Sequence, residues 1–129
     1  MYEIEVESRF SATHALPLHN GATEALHGHD WRVVVSLAAA ELDSCGMVAD
    51  FCDVKKILDE MAGRLHHQNL NQLQLFAGGI PSAENVARCI HNLMTNDSTW
   101  GHLVQAVRVE EAPGCWAGFR GPGARALGA

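Results

Sequence analysis

The amino-acid sequence predicts an α+β fold in which one antiparallel sheet carries two helices on one face. Two segments with the period of strands come first, two segments with helical spacing follow, and two more strand-like segments end the chain. This ββααββ order, with a hairpin-like pair at each end, implies antiparallel pairing. The chain has 129 residues, so we expect a single domain over residues 1–120 and a flexible C-terminal tail over residues 121–129.

The first predicted strand, residues 2–14, alternates polar and apolar side chains with a period of two. Phe10 and His14 fall on its apolar side. Proline, asparagine and glycine predict a loop over residues 15–26. The second predicted strand, His27–Leu37, carries its histidines on the same side as a row of apolar residues. Histidines of both strands are therefore expected on the buried face of the sheet.

Two helices are predicted between the strand pairs. Asp50 is expected to cap the first, whose apolar residues recur at helical spacing as far as Leu65. Ser82 is expected to cap the second, and residues 66–81 are expected to form an irregular connection between them. The first helix and the turn before it contain three residues that are predicted to join the core, namely Met47, Val48 and Phe51.

The last two strands are predicted at Leu103–Glu111 and Cys115–Phe119. Glu111 falls on the apolar side of its strand, whereas Glu110 falls on the other side and is expected to be solvated. A four-stranded sheet with helices on one face leaves its edges unpaired. Because such edges are commonly closed by another subunit, an oligomer is expected.

Charge and composition disfavour several classes of function. A net charge of -6 argues against binding nucleic acid, which requires clustered Lys and Arg. Apolar runs fall short of the ~20 residues of a membrane helix, so no membrane partner is expected. The first residues lack the pattern of a secretory signal, and the four cysteines are scattered without a Cys-x-x-Cys pair. We therefore expect a cytoplasmic protein without disulfides.

A pair of histidines opens the second predicted strand. His27 and His29 are one residue apart, so a strand would point both imidazoles to one side, roughly 6.6 Å apart along its axis. His14, on the same face of the neighbouring strand, can supply a third ligand. Three histidines without a cysteine are typical of catalytic zinc sites, which keep a fourth position open. The alternative is that these are ordinary histidines at the mouth of a loop.

Six short motifs occur in the order found in the 6-pyruvoyl-tetrahydropterin synthase and 6-carboxytetrahydropterin synthase family, which the chain resembles over nearly its whole length. They are FSATHAL (10–16), LHGHDW (26–31), GMVADF (46–51), LHHQNLN (65–71), PSAEN (81–85) and VRVEEA (107–112). The resemblance implies the tunnelling fold, in which ββααββ subunits form a trimeric barrel and two trimers stack. It therefore implies a homohexamer with active sites at the subunit interfaces.

The same resemblance implies roles for individual residues. His14, His27 and His29 match the zinc ligands of the family. Glu111 matches the acid that anchors the pterin ring, and a carboxylate can accept two parallel hydrogen bonds from such a ring. The alternative for Glu111 is a surface acid at the end of a strand. His67 matches the histidine of a catalytic proton relay.

Two relay positions depart from the family pattern. Thr23 stands where the family usually has a cysteine that acts as general base, and His66 stands where it usually has an aspartate. A threonine hydroxyl is a poor base near neutral pH. Glu24, one position along, has usable acidity, and some relatives with Glu in place of the cysteine cleave the pterin side chain. The alternative for Glu24 is a solvated loop acid.

The resemblance implies a zinc-dependent enzyme that converts 7,8-dihydroneopterin triphosphate to 6-carboxy-5,6,7,8-tetrahydropterin, on the route to queuosine, or to a 6-pyruvoyl-type product. One alternative is cleavage of the side chain to leave 6-hydroxymethyl-7,8-dihydropterin. Another is a catalytically weak homologue that binds zinc and pterin, because the usual Cys and Asp are replaced.

Overall fold

The computed structural model describes residues 1–77 and 79–122, and it confirms the α+β class. Its five strands and two α-helices are, in chain order, β1 (Tyr2–His14), β2 (His27–Ala39), α1 (Phe51–Leu65), β3 (Gln68–Asn69), α2 (Ala83–Thr95), β4 (Val104–Ala112) and β5 (Cys115–Arg120). The strand order in the sheet is β3-β1-β2-β4-β5. All neighbours are antiparallel except β3, which runs parallel to β1.

The fifth strand corrects the prediction of a four-stranded sheet. Gln68 and Asn69 pair with Ala12 and Thr13 at the end of β1. They lie within the segment that was expected to be an irregular connection, and short 3-10 turns follow them. A strand of two residues is too short to show alternation, so its pattern gives no signal in the sequence.

Both helices begin where their capping residues predict. The Asp50 side chain accepts a hydrogen bond from the backbone N–H of Cys52, and the Ser82 side chain accepts one from Asn85. The helices pack on one face of the sheet, where the fully buried side chains include Val33, Leu58, Leu65, Ile90 and Val107. This layer of apolar side chains holds the strands that carry the predicted site.

Pairing between β1 and β2 sets the positions of the histidines. His14 lies opposite His27, and Ala12 lies opposite His29. One step further into the sheet, the rings of Phe10 and Trp31 stack with centroids 5.6 Å apart. The aromatic pair closes the core directly beneath the histidines, so all three imidazoles lie at its end.

The opposite face of the sheet is charged. Arg32 contacts Glu7 through Nε at 2.7 Å and through Nη2 at 3.2 Å, and its Nη1 lies 3.4 Å from Glu110. Its guanidinium and that of Arg108 also lie over the Trp116 ring, at 5.3 and 4.4 Å from the centroid. These contacts join β1, β2, β4 and β5 across the face that the helices leave uncovered.

Two core predictions near the start of α1 were wrong. Val48 is buried, but Met47 is 43% exposed and Phe51 is 59% exposed. Of the predicted tail, residues 123–129 lie outside the described residues, so its flexibility stays a prediction. Within the described residues, no helix combines the length and the apolar composition needed to cross a membrane.

Candidate metal and pterin site

Four side chains converge at the end of the sheet where β1 ends and β2 begins. One ligand atom each from His14, His27, His29 and Glu111 all lie within 4.8 Å of one another. The histidines come from the β1–β2 pair, as the alternation predicts, and Glu111 comes from β4, on the far side of β2. The structure therefore brings the three predicted metal ligands and the predicted pterin anchor together in one cluster.

The hydrogen bonds of two histidines identify which ring nitrogen carries the proton. Nδ1 of His14 lies 2.9 Å from the carbonyl oxygen of Pro81, and Nδ1 of His27 lies 2.9 Å from that of Ala25. A carbonyl oxygen only accepts, so both Nδ1 atoms must be the N–H donors. In the neutral ring, Nε2 then carries the lone pair. Such a backbone bond is what holds a metal-binding histidine in orientation.

The Nε2 atoms of His14 and His29 meet the same carboxylate oxygen. Oε1 of Glu111 lies 2.7 Å from the first and 3.1 Å from the second. Neither contact is aligned as a hydrogen bond, and among the described residues both buried Nε2 atoms lack any other hydrogen-bond partner. The lone pair on Nε2 of His14 is held against an anionic oxygen, which is unfavourable unless a cation lies between them. The donor set therefore fits a divalent ion such as zinc.

Burial keeps His29 suited to metal binding. The pKa of His29 is lowered, first by loss of solvation on burial and further by its neighbours His27 and His14, while the Glu111 carboxylate partly opposes the shift. A lowered pKa favours the neutral ring, which is the form that binds a metal ion.

A bulge in the β4–β5 pair lies at Glu111. Glu110 pairs with Trp116 and Ala112 pairs with Cys115, so Glu111 is the extra residue on its strand. A bulge redirects the side chain at its position. Glu111 lies toward the histidines, on the side of the strand that alternation predicted, and the bulge occurs at its position.

Glu110 faces the charged side of the sheet, but it is not solvated as expected. Its Oε2 accepts a hydrogen bond from the backbone N–H of Gly114 at 2.9 Å, and its Oε1 contacts Arg32. The Glu110 side chain is only 15% exposed. The two adjacent acids therefore have different surroundings, one toward the histidines and one toward the β4–β5 turn.

The loop between β1 and β2 carries Glu24 to the edge of the cluster. Oε1 of Glu24 lies 3.6 Å from Nδ1 of His27 and accepts a hydrogen bond of 3.0 Å from the backbone N–H of Leu16. Thr23 is exposed and pairs with Pro17 across the loop. Of the two candidate bases, the structure thus brings Glu24, rather than Thr23, into contact with a predicted metal ligand.

His66 and His67 follow α1 and stack on each other, with ring centroids 3.6 Å apart. The Ser11 backbone holds both, because its N–H donates to Nδ1 of His66 at 3.1 Å and its carbonyl accepts from the N–H of His67 at 2.6 Å. His67 adopts a φ of 60°, which few residues other than glycine adopt. The backbone at this position is therefore tightly specified.

Two adjacent cavities border His29. One, of about 600 Å³, is lined by His67 together with Thr13 and Gln68. The other, of about 590 Å³, is lined by His66 and Glu111. The predicted relay histidines therefore face the same region as the cluster.

The sequence did not predict the backbone groups that hold the side chains of the site, such as the Pro81 carbonyl that contacts His14. Main-chain groups are common to all residues, so a residue pattern does not reveal them.

Comparison with known proteins shows which family the chain belongs to. The sequence profile of the 6-pyruvoyl tetrahydropterin synthase family matches residues 3–122. The chain belongs to this family. It is 33% identical over 118 residues to a putative 6-carboxy-5,6,7,8-tetrahydropterin synthase of Archaeoglobus fulgidus, a match that covers 91% of the chain and 94% of the relative.

Two further relatives bear on fold and on chemistry. A dihydroneopterin monophosphate aldolase of Pyrococcus furiosus is 35% identical over 78 residues, or 60% of the chain and 61% of the relative. The structure of a 6-pyruvoyl tetrahydropterin synthase of Caenorhabditis elegans superposes with a TM-score of 0.82 at 23% identity, covering 94% of this chain and 96% of that chain. The second likeness confirms the tunnelling fold.

Proposed function

We propose that the chain is a zinc-dependent enzyme that acts on the side chain of 7,8-dihydroneopterin triphosphate and forms 6-carboxy-5,6,7,8-tetrahydropterin. The observation that carries this proposal is the cluster of three histidines beside two cavities, with buried Nε2 atoms that lack hydrogen-bond partners among the described residues. Membership of a pterin synthase family and the likeness to the Archaeoglobus fulgidus relative support the substrate class.

The metal-binding role falls to His14, His27 and His29, whose Nδ1–H bonds to the backbone preset two of the three rings. Zinc held there would act as a Lewis acid toward a substrate hydroxyl and make neighbouring protons easier to remove. Glu111 borders the cavity of about 590 Å³, and its carboxylate can accept paired hydrogen bonds from the pterin ring.

Proton transfer falls to Glu24 and His67. Glu24 lies at the edge of the cluster with one oxygen fixed by the Leu16 N–H, so it is oriented before substrate arrives. His67 lines a cavity that also borders His29 and is stacked on His66. The His66 ring restricts the orientation of His67 by stacking on it. In the family, an aspartate usually orients this histidine through its charge.

A second candidate reaction is cleavage of the side chain to 6-hydroxymethyl-7,8-dihydropterin. It is favoured by Thr23 in the usual place of a thiol and by the contact between Glu24 and His27. The likeness to a relative named dihydroneopterin monophosphate aldolase supports it as well. Both reactions use the same metal site and differ in the base and in the bond that is broken.

Product analysis decides between these reactions. Zinc-loaded protein is incubated with dihydroneopterin triphosphate, and products are identified by chromatography with mass spectrometry. A carboxytetrahydropterin supports the first reaction, and a hydroxymethyl dihydropterin supports the second. Tight pterin binding without any product would contradict both and would identify the chain as a binding protein that has lost activity.

The same proposal includes assembly and location. We propose a homohexamer of two trimers, supported by the outer edge of β5, which has no partner strand among the described residues, and by exposed apolar side chains at Tyr2, Met47 and Phe51. We also place the protein in the cytoplasm. Its four free cysteines support this location, since they suit a reducing compartment.

A further inference from the structure

The segment that follows α1 is fastened along the outer edge of β1. The Ser11 backbone bonds to both predicted relay histidines, and β3 pairs with Ala12 and Thr13. The next residues, Leu70–Gln72, form a 3-10 turn, so the backbone of this segment leaves the strand there. Backbone pairing alone therefore does not reach the loop that follows β1.

One side chain continues the ladder where the backbone cannot. Oδ1 of Asn71 accepts a hydrogen bond of 2.8 Å from the backbone N–H of Ala15, and Nδ2 of Asn71 donates one of 2.9 Å to the Ala15 carbonyl. A primary amide carries a donor and an acceptor side by side, as a backbone peptide group does. Asn71 thus takes the place of a paired backbone residue and holds Ala15 at both of its main-chain groups.

Ala15 is the first residue of the loop that carries Glu24. The next residue, Leu16, bonds to Glu24 twice: its N–H donates to Oε1 at 3.0 Å, and its carbonyl accepts from the Glu24 N–H at 2.9 Å. A path of hydrogen bonds therefore leads from Asn71, through the first two loop residues, to the Glu24 carboxylate. Asn71 itself is not a member of the histidine cluster and lines neither of the two cavities.

We infer that Asn71 is a positioning residue: it fixes the start of the loop of residues 15–26 against β1 and so holds Glu24 where it can take a proton. The kinetic part of this inference rests on the proposed function, in which Glu24 is the base. A misplacement of about 1 Å can slow a reaction about 100-fold even when the substitution is far from the reacting atoms. Loss of the two Asn71 bonds should therefore lower kcat, while zinc content and pterin affinity stay unchanged.

Amide hydrogen exchange tests the structural part and needs neither metal nor substrate. Asn71→Ala is compared with Asn20→Ala, a matched change in the loop itself, because the Asn20 side chain bonds only within the loop's own turn among the described residues. In Asn71→Ala, the amides of Leu16 and Glu24, which bond to each other and not to Asn71, should exchange about tenfold faster or more. The amides of α1 should exchange as in wild type, which shows that the variant is folded.

Asn20→Ala should leave the Leu16 and Glu24 amides protected as in wild type. Wild-type exchange of these two amides in Asn71→Ala would overturn the inference, because the loop would then hold its shape without Asn71.

Steady-state kinetics with dihydroneopterin triphosphate tests the positioning of the base. Asn71→Ala should lower kcat about tenfold or more with little change in KM, whereas Asn20→Ala should keep wild-type turnover. In a Glu24→Gln background, the Asn71 change should have little further effect on kcat, because a residue that acts through another adds nothing once that other is lost. A full additional loss in the double variant would overturn the positioning role.

The two measurements separate failure of the inference from failure of the proposed function. If Glu24→Gln is fully active, the proposed base is wrong and so is the part of Asn71 in positioning it, although faster exchange would still show that Asn71 fixes the loop. If wild-type protein turns over no pterin, the proposed function fails, and the exchange measurement alone decides whether Asn71 fixes the loop.

Discussion

Oε1 of Glu111 lies 2.7 Å from Nε2 of His14, a side chain with no exposed surface. The two residues come from strands that are not neighbours, since β2 separates β1 from β4. The contact therefore depends on the whole sheet, and not on one hairpin. The cluster can therefore form only when β1, β2 and β4 are paired in the observed register.

Metal content should depend on the β2 histidines. Wild-type protein should carry about one zinc per chain, and His27→Ala should abolish tight binding because it removes a ligand held by the Ala25 carbonyl. His102→Ala is the control, since His102 is exposed near the start of β4. Elemental analysis after gel filtration measures both. Full zinc content in the His27 variant would contradict the assignment.

Glu24→Gln should lower turnover at least about tenfold, which corresponds to about 1.4 kcal/mol in the activation barrier. The amide keeps an oxygen that accepts from the Leu16 N–H, so the loop should hold its shape, but it cannot take a proton. Zinc content and pterin affinity should be unchanged. Steady-state kinetics with a fluorescence titration of pterin would check this.

Thr23→Ala is the matched control for that variant, because Thr23 is the adjacent loop residue and its side chain is expected to have no part in proton transfer. It should retain most of the turnover. A fully active Glu24→Gln protein would exclude Glu24 as the base and make His67 the next residue to test.

Assembly should give a mass that is a multiple of three chains, most simply six. The outer edge of β5 has no partner strand among the described residues, and a barrel of several subunits would pair it. Sedimentation or light scattering at micromolar concentration measures the mass. A species of one chain would contradict both the hexamer and the trimeric barrel.

Stability should fall with acid in part through His91. Burial lowers the pKa of His91 below the 6.5 of a free histidine, so the unfolded chain takes up the proton first as the pH falls. The contribution of His91 is therefore complete above about pH 6.5 and is lost below it. Urea denaturation of metal-free protein at about pH 7.5 and about pH 5.5 measures the loss.

Replacing the imidazole should reduce that loss. His91→Leu should show a smaller difference between the two pH values than wild type does, whereas His19→Leu, at an exposed loop histidine, should show the same difference. An unchanged difference in the His91 variant would mean that the acid sensitivity arises at other groups, such as the metal-binding histidines.

Two glycines should respond to alanine in opposite directions. A methyl group at Gly101 would collide with the carbonyl oxygen of Thr95, and overpacking of this kind costs roughly 1–3 kcal/mol. A methyl group at Gly63, exposed within α1, would meet nothing within 4 Å. Gly63→Ala should therefore stabilise by about 0.5–1 kcal/mol through helix propensity. Thermal melts of both variants distinguish the two effects.

Alternation along the chain was enough to predict the histidine cluster. A period of two places His14, His27 and His29 on the core face of adjacent strands, and antiparallel pairing brings their ends together. The helix caps at Asp50 and Ser82 were likewise readable, because a cap depends on one side chain and the backbone a few residues away.

Features that depend on pairing with another element could not be predicted from the sequence. The bulge at Glu111 arises from the pairing of β4 with β5, and the bond between Glu110 and Gly114 depends on the turn between those strands. Burial of Phe51 was mispredicted for the same reason, since an apolar residue near a helix start is buried only if another element covers it. No local pattern records which element that will be.

Every metal-ligand candidate lies on a strand, whereas the candidate base Glu24 lies in the loop between β1 and β2. The predicted metal ligands and the candidate base therefore lie in separate parts of the chain. The loop, residues 15–26, lies between His14 and His27, which are opposite each other in the sheet. A graft of this loop from a relative with a different base would leave the strand ladder in place. Transplanting these twelve consecutive residues could therefore exchange one pterin reaction for another while the fold stays the same.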